Sequence, residues 1–385
     1  MAVPIYYNIK NVAVRWPTSI ITALTIGLAI FMLIVSFAIL EGLENAKAKT
    51  GNPDNILILQ RGATRINQSF IKKEHYNILA NMPGVQKKES LSLIAPEIVT
   101  LMHTPRSLES ATQAFIRLRG VNFPVAKAQK NITIIKGKKF KPGLNEIMVG
   151  KYLAEKFPSL DIGGKIKIGT ISWTITGHFD AEGPSYNIEI WGDVEQIFAN
   201  SKMKKYSAIS ATLKDPGTFP GIKAKLESVK QLNVSAVREQ EYYHKQIEET
   251  INNFSWLGLI IITLMSIGAF FTTINTIYGM VEGRIKETAV LRVIGYSKLS
   301  IYICFIIESC FITLLGGLLG LIAAFPLNHL PVIKWQALSE ISYNISITPK
   351  VIIVAIIVSI ILGIISGLFP AWKASRLRMS EVLKK

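Results

Sequence analysis

The residues of this chain that could catalyse a reaction or bind a metal are scattered, and their spacing matches no known catalytic motif. The motifs H-E-x-x-H, C-x-x-C and G-x-S-x-G do not occur. Asp180 and Glu182 form a carboxylate pair beside Gly183, which is typical of a solvated turn. The five histidines share no metal-ligand spacing and are interpreted as surface or structural residues: His75, His103, His178, His244 and His329.

Nucleotide hydrolysis by this chain is also not predicted. A Walker A loop reads G-x-x-x-x-G-K-[ST], and the nearest stretch, Gly163-Gly164-Lys165, lacks both the spacing and the hydroxyl residue. Cys304 and Cys310 are the only cysteines and lie six positions apart in one apolar stretch, so they cannot bridge each other if that stretch is helical. The sequence therefore indicates neither an enzyme nor a metal site.

Four long apolar stretches organise the chain. They run through Thr18–Leu40, Phe254–Met280, Ser300–Phe325 and Lys350–Phe369. Each is long enough for a helix to cross a bilayer, which takes about 20 residues. The mostly polar residues 41–253 separate the first from the second. The sequence predicts a membrane protein with four spans and one large domain outside the membrane.

The distribution of positive charge predicts the orientation. The net charge is +17, and basic residues cluster before span one, between spans two and three, and after span four. These segments are expected to be cytoplasmic, as are both termini, and the large domain is expected to face the outer side of the membrane. No aromatic-rich basic stripe accompanies the charge, so nucleic-acid binding is not expected.

The large domain is predicted to be α+β with two lobes. Residues 165–168 and 171–176 alternate apolar and polar side chains around Gly169-Thr170, which suits a type II′ hairpin. Ile116 and Leu118 alternate with Arg117 and Arg119, which predicts a half-buried strand. Helical patterns are expected at Ser69–Asn81, Lys151–Phe157, Val194–Asn200 and Gly221–Leu232.

The chain from about Arg238 into span two has no helix-breaking residue, so a long stalk helix is expected there, and span one is expected to continue as a stalk beyond Leu40. The expected organisation is a lead-in at 1–17, span one and stalk at 18–42, the periplasmic core at 43–240, stalk and span two at 241–280, a cytoplasmic loop at 281–299, span three at 300–325, a short periplasmic loop at 326–349, span four at 350–369, and a cytoplasmic tail at 370–385.

The loop Val281–Ser297 carries the sharpest local signal. Glu282 and Lys286 form a favourable i,i+4 pair, and Gly295 is well placed to end a helix. Ile285, Ala289 and Val293 would share one face, whereas Leu291 and Ile294 would fall among charged residues. Apolar residues on two sides indicate contact with both the membrane edge and another protein, although a plain interfacial helix would fit the same pattern.

Polar and small residues mark the spans. A carboxylate inside a membrane is energetically costly and usually faces a polar partner, so Glu308 in span three is expected to face one. Asn275 in span two could supply a hydrogen bond. A structural role for Glu308 is favoured over a proton relay, since no chain of acids accompanies it. Small residues at four-residue spacing predict close helix packing, either within the chain or with a second copy: Gly316 and Gly320 in span three, and Ser359, Gly363 and Gly367 in span four.

Together these residues resemble the MacB/FtsX-type permeases of ABC transporters, the mechanotransmission class. Arg284–Gly295 is similar to that family's loop signature, Glu308 matches its acid in span three, and Gly363–Leu383 is similar to its C-terminal tail. Trp372-Lys373 and Met379-Ser380 depart from the usual tail. In the outer domain, short stretches such as Ile147–Ala154 are similar to the MacB-like periplasmic core.

The resemblance implies a bacterial inner-membrane permease that acts as a homodimer with a separate ABC ATPase, which would bind the ATP and Mg. This chain would bind no cofactor. The ATPase-coupling residues would be Arg284, Lys286, Glu287, Leu291, Arg292 and Gly295. The expected function is efflux with a membrane fusion protein and an outer-membrane channel. A signalling permease that activates a periplasmic cell-wall hydrolase and a lipoprotein-extracting permease are the alternatives.

Overall fold

The computed structural model describes residues 16–105, 113–181, 185–201, 204–282, 285–328, 331–333 and 342–375. The chain divides into two compact units. The membrane unit comprises Met1–Gly42, Ile251–Leu330 and Asn344–Lys385. The sheet unit comprises Leu43–Thr250 and Pro331–Tyr343.

Two helices are much longer than the rest, and each supplies residues to both units. In chain order, the α-helices of the described residues are α1 (Trp16–Lys49), α2 (Lys73–Leu79), α3 (Phe123–Lys130), α4 (Lys151–Lys156), α5 (Val194–Asn200), α6 (Phe219–Ser228), α7 (Glu239–Glu282), α8 (Ile285–Val293), α9 (Lys298–Ala324) and α10 (Pro349–Ser375). Helix α1 has 34 residues and α7 has 44, which agrees with the expected long stalks.

Four helices are long and apolar enough to cross a membrane. The candidate spans are Ser19–Lys49, Glu239–Thr276, Lys298–Leu327 and Pro349–Lys373. Apolar side chains from these helices form the core of the membrane unit, which includes Ile26, Ile30 and Ile34 of α1 and Phe305 and Ile312 of α9. Within the described residues, the four spans predicted from the sequence are therefore present as helices.

The sheet unit is built on one mixed sheet of ten strands with flanking helices. In chain order, the strands are β1 (Asn55–Gln60), β2 (Lys87–Lys88), β3 (Leu91–Ser92), β4 (Ile94–Pro105), β5 (Gln113–Val121), β6 (Thr133–Gly137), β7 (Glu146–Gly150), β8 (Lys165–Ile168), β9 (Ile171–Asp180), β10 (Glu189–Asp193), β11 (Ala208–Thr212), β12 (Val234–Arg238), β13 (Pro331–Ile333) and β14 (Ser342–Asn344). The large sheet has the order β12-β1-β11-β4-β5-β10-β7-β9-β6, with β8 also paired to β9. Strands β2 and β3, and β13 and β14, form separate two-stranded sheets.

The long strand β4 joins the two halves of this sheet. Its residues 94–97 pair with β11, whereas its residues 98–105 pair with β5. One half contains β12, β1 and β11, and the other contains β5, β10, β7, β9, β6 and β8. Both halves belong to one continuous sheet within a single compact unit.

Both faces of the sheet are covered. Along β1, Ile56 and Ile58 belong to one apolar core, and the alternating residues Leu57 and Leu59 belong to a second. The second core also contains Trp191 of β10 and two tyrosines of the first turns of α7, Tyr242 and Tyr243. A strand buried on both faces reads as a continuous apolar run, as β1 does.

Several local predictions are confirmed. The β8–β9 hairpin turns at Gly169, whose φ of +63° is what the first position of a type II′ turn requires. Helix α5 has the predicted bounds, and α4 differs by one residue. Helix α2 is shorter than expected, and α6 begins and ends earlier than expected.

The interpretation of β5 as a half-buried strand is wrong. Arg117 and Arg119 are 6% and 2% exposed, although they alternate with the apolar Ile116 and Leu118. Alternation of apolar and polar residues indicates a solvent-exposed face only where no other element packs on the polar side of the strand. Here α3 and the start of α7 cover the second face, and carboxylates from other elements neutralise both arginines.

Candidate functional site

The predicted coupling loop folds as the short helix α8. Gly295 has a φ of +107°, its amide donates to the carbonyl of Arg292 at 3.2 Å, and the amide of Tyr296 donates to the carbonyl of Leu291 at 3.1 Å. This pair of hydrogen bonds is a Schellman motif with glycine at the left-handed position. Gly295 therefore ends the helix for a steric reason.

The exposed side of α8 differs from the expected one. Thr288 and Ala289 are buried, whereas Val290, Val293 and Ile294 are exposed at positions i, i+3 and i+4. These three residues form one apolar stripe on the surface of the membrane unit, here called the α8 stripe. Ala289 and Val293 lie four residues apart and therefore share a face of α8, as predicted, but Ala289 is buried whereas Val293 is exposed.

The predicted coupling residues occupy different environments on α8. Glu287 is exposed, and Leu291 and Arg292 are half-buried. The guanidinium of Arg292 donates to the carbonyl of Tyr296 at 3.2 Å, so this side chain braces the end of its own helix. Arg284 and the side chain of Lys286 lie outside the described residues.

Glu308 and Asn275 are not brought together. Glu308 is 1% exposed inside the membrane unit, flanked along α9 by the buried Ser309. Asn275 is exposed on α7. The suggested hydrogen bond between them is therefore not supported by their positions.

The small residues of α9 pack against α1. A Cβ on Gly316 would lie 2.8 Å from the carbonyl oxygen of Ala23, and one on Gly320 would lie 2.6 Å from that of Gly27 and 2.9 Å from the amide of Phe31. Real Cβ atoms do not approach backbone so closely, which means that only glycine allows this contact.

The small residues of α10 also pack against α9, at positions next to those that contact α1. A Cβ on Gly363 would lie 2.7 Å from the Cα of Cys310, and one on Gly367 would lie 2.6 Å from Oγ of Ser309. Ser359 approaches Gly317 of α9 in the same way. Both ridges are therefore occupied within one chain, which answers the question that the sequence leaves open.

A buried chain of six alternating charges crosses the sheet unit, and sequence reasoning missed it. We call it the charge chain; in order its members are Arg117, Glu189, Arg119, Glu97, Lys130 and Glu239. Arg119 donates through Nε and Nη2 to both oxygens of Glu189, at 2.6 and 2.8 Å, and through Nη1 to Glu97 at 2.5 Å. Arg117 donates to Glu189 at 3.2 Å. Three positive and three negative groups thus balance inside the domain.

The other end of the charge chain reaches the first residue of α7. Nζ of Lys130, the last residue of α3, lies 2.7 Å from Glu97 and 3.7 Å from Glu239. Glu239 also accepts from Tyr186 Oη at 2.6 Å and from Asn55 Nδ2 at 2.7 Å. A carboxylate at a helix N-terminus is favoured by the helix dipole. The chain therefore links α7 to β4, β5, β10 and α3.

The surroundings favour the charged forms of three members of the charge chain, Glu97, Glu189 and Arg119. Burial alone would raise the pKa of Glu97, but the neighbouring charges of Lys130 and Arg119 lower it to about 2. Burial likewise opposes ionisation of Glu189, and Arg119 more than compensates, so the pKa of Glu189 is also lowered. The pKa of Arg119 is raised well above its ordinary value despite burial, because Glu189, Tyr243 and Glu97 surround it.

A cavity of about 530 Å³ borders this end of the charge chain. Its lining includes Lys49, Gly51, Asn52, Lys130, Tyr186 and Glu239. Two of the charged groups that face it, Lys130 and Glu239, already bind each other and further side chains of the sheet unit. The described residues contain no cluster that could hold a metal ion. This arrangement stabilises and connects elements, and it is not arranged as an acid, a base or a nucleophile.

Comparison with protein families identifies two regions. Residues 19–229 match the MacB-like periplasmic core domain, and residues 259–379 match the FtsX-like permease C-terminal domain. The second match contains α8, Glu308 and the small-residue ridges. The first contains five of the six members of the charge chain.

The chain is similar to one curated protein and to two solved structures of extramembrane domains. It is 25% identical over 248 residues to an uncharacterised ABC transporter permease of Methanocaldococcus jannaschii; the alignment covers 62% of this chain and 58% of the relative. The extracellular domain of the ABC-type transporter YknZ from Gram-positive bacteria is 14% identical over 48% of this chain and 100% of that one, with a TM-score of 0.36. The periplasmic region of MacB from Actinobacillus actinomycetemcomitans is 9% identical over 53% of this chain and 94% of that one, with a TM-score of 0.38.

Proposed function

This chain belongs to the MacB/FtsX-type permeases of ABC transporters, and from that premise we propose that it converts ATP-driven closure of a separate ATPase into movement of its sheet unit. In this proposal the chain is the non-catalytic membrane subunit, and ATP and Mg bind to the partner. The family membership and the absence of a Walker A motif from the sequence support this division of labour.

The α8 stripe is the observation that carries the proposal. Val290, Val293 and Ile294 are 52%, 63% and 65% exposed, next to the exposed Glu287. Helical anchors at i, i+3 and i+4 suit insertion into a hydrophobic groove of another protein. Membership of this family supports an ABC ATPase as the partner, and the proposal is that it binds this surface on the cytoplasmic side. The proposed contact with the ATPase is therefore made by the three exposed residues and not by Leu291, which is half-buried.

The two long helices would transmit the movement. Each of α1 and α7 supplies residues to both units, so a displacement in the membrane unit has a direct covalent and helical route into the sheet unit. An α-helix transmits displacement along its axis because each turn is held by backbone hydrogen bonds. Efflux with a membrane fusion protein is the corresponding cellular function.

A homodimer is part of the proposal. In the most apolar 18-residue stretch of α7, 11% is buried, compared with 28–44% in the corresponding stretches of the other candidate spans. Its exposed apolar side chains include Trp256 at 71%, Leu257 at 60% and Leu264 at 65%. In the proposed assembly the α7 helix of a second copy covers part of this surface.

The test is to cross-link the protein in native membranes, purify it under denaturing conditions, and identify its partners by mass spectrometry. An ABC ATPase together with a membrane fusion protein is the expected result. An ATPase with a cell-wall hydrolase or its activator, and no fusion protein, would replace efflux by signalling. If no ABC ATPase is recovered with the protein, the proposal is contradicted.

Substitutions on α8 test the surface itself. Val290→Asp and Val293→Asp are expected to abolish co-purification of the ATPase while membrane insertion is retained, because each places a charge in the proposed contact. Charge reversal at Glu287 should weaken co-purification of the ATPase. The matched control is Leu315→Asn, an exposed position on α9 away from the stripe, which should retain the ATPase. Normal co-purification by both valine variants would refute the assignment of the stripe.

A further inference from the structure

The end of α1 and the start of α7 lie against each other inside the sheet unit. The imidazole Nε2 of His244 lies 2.9 Å from the carbonyl oxygen of Lys47, and Nζ of Lys47 lies 2.6 Å from Glu248. Two backbone contacts strengthen this meeting point. A Cβ on Gly51 would lie 2.6 Å from the Cα of Gln240, and the amide of Asn52 approaches Glu239 at 3.4 Å.

Gly51 is needed here for two separate reasons. Its φ is +84°, which side-chain-bearing residues rarely adopt, and its missing Cβ leaves room for the backbone of α7. The chain can therefore leave α1, turn, and pass directly over the first residues of α7 only with glycine at this position.

Glu239 connects this meeting point to the sheet. It is 1% exposed, it is the first residue of α7, and it bonds to Tyr186 and Asn55 while facing Lys130. Beyond Lys130, the charge chain continues through Glu97 and Arg119 to Glu189. Each step joins a different element, so the carboxylate at the start of α7 is tied to the middle of the sheet.

We infer that Glu239, Gly51 and the charge chain form a joint that fastens the ends of both long helices to the sheet as one body. Glu239 is its positioning residue, since it holds α7 through Lys130 and Tyr186. The inference extends the proposed function, in which α1 and α7 move the sheet unit, but the contacts that carry it do not depend on an ATPase.

The strength of the joint follows from its charge balance. Lys130 faces two carboxylates, Glu97 and Glu239, and Arg119 also faces two. Removing the charge of Glu239 leaves the buried chain with an excess positive charge next to the first turn of α7. A buried charge that loses its partner is costly, so the first turns of α7 should open more often.

Hydrogen exchange measured by mass spectrometry on the full chain in lipid nanodiscs tests this inference. Glu239→Gln is expected to speed amide exchange in residues 239–250 and 46–52 by about tenfold or more, since a hydrogen bond to a charged group is worth at least that factor. Strands β7 and β9 should exchange at the wild-type rate. The matched control is Glu241→Gln, which removes an exposed carboxylate two residues further along α7 and should change nothing.

A second pair of variants keeps the inference testable if Glu239→Gln does not fold. Gly51→Ala and Gly62→Ala impose the same backbone strain, because the two glycines have φ of +84° and +83°. A Cβ at Gly62 meets nothing within 4 Å, whereas one at Gly51 meets Gln240. Only Gly51→Ala should speed exchange at both helix ends.

Two results would overturn the joint. Equal acceleration across all strands would mean that Glu239 contributes only to global stability. Equal behaviour of the two glycine variants would mean that the helix ends are not held by this contact. Neither experiment involves the ATPase, so a failure of the joint and a failure of the proposed ATPase coupling are distinguishable.

Discussion

The two units of this protein stabilise their interiors with opposite kinds of contact. In the sheet unit, the charge chain places six acidic and basic side chains in the interior, where each contacts at least one side chain of opposite sign. In the membrane unit, the closest contacts are between backbones, where Gly316, Gly320 and Gly363 let α1, α9 and α10 approach.

This difference follows from what each interior can use. Burial of apolar surface drives the folding of the sheet unit, and paired charges then fix how its elements are arranged. Lipid tails are as apolar as leucine, so helices in a membrane gain little by burying apolar side chains and depend on close packing. The sheet unit should therefore be sensitive to the loss of a charge, and the membrane unit to the gain of a methyl group.

The largest effect is expected from Arg119→Ala. Glu97 and Glu189 lose the guanidinium that they share and stay buried, so the free energy of unfolding should fall by about 3–5 kcal/mol. Urea denaturation of the purified full chain, followed by tryptophan fluorescence, measures this. Arg61→Ala removes an exposed arginine and should change stability by about 0.5 kcal/mol or less. Similar values for the two variants would remove the distinction between buried and exposed charge.

A smaller effect is expected from Gly320→Ala. The added methyl group would collide with the carbonyl of Gly27 and the amide of Phe31, so the membrane unit should lose about 1–3 kcal/mol. Gly268→Ala is the matched control, because a Cβ at Gly268 in α7 meets nothing within 4 Å. The control should be neutral or stabilising by up to about 1 kcal/mol, since alanine is the better helix former. Denaturation in mixed micelles, followed by circular dichroism, compares them, and equal losses would contradict the packing assignment.

The charge chain also predicts a pH dependence. The pKa of Glu97 is lowered from 4.5 to about 2 in the folded protein, so its contribution is fully present well above pH 4.5 and is lost as the pH falls towards 2. By pH 4 about 1 kcal/mol of this contribution should be gone. Glu97→Gln should reduce the slope of stability against pH in this range. An unchanged slope would show that Glu97 is not ionised in the fold.

The smallest effect is expected at the exposed pair of Lys47 and Glu248. Nζ of Lys47 lies 2.6 Å from Oε1 of Glu248, but both side chains are partly exposed and water screens their charges. Lys47→Met should leave the unfolding midpoint nearly unchanged at moderate salt. A loss comparable with that of Arg119→Ala would mean that exposed charges matter as much as buried ones in this protein.

Local features of the fold were predictable from the sequence because they depend on neighbouring residues. The hairpin at Gly169, helix α5 and the four spans are set by local turn chemistry and by apolar runs. The charge chain was not predictable, because Arg119 meets Glu189 and Glu97 only through the order of strands in the sheet. The sequence signal for the charge chain is the pair of arginines that alternate with apolar residues in β5. Whether those arginines are buried depends on the elements that pack over β5, which the sequence of this strand does not show.

Helix α8 shows the same limit of prediction from the sequence. Gly295 was predictable as the end of α8, because a helix stop needs only a glycine at the right place. Which side of α8 is exposed depends on how the helix packs against the rest of the membrane unit. The sequence alone therefore does not show that Val290 is exposed and Leu291 half-buried.

The most direct test of ATPase coupling is site-specific photo-cross-linking from Val290 in native membranes. A photoreactive amino acid at Val290 is expected to form an adduct with a polypeptide that contains a Walker A motif. The same amino acid at the exposed Leu264 of α7 should give no such adduct. Adducts of Val290 with lipid alone, or with an ATPase equally from both positions, would contradict the assignment of α8 as the coupling helix.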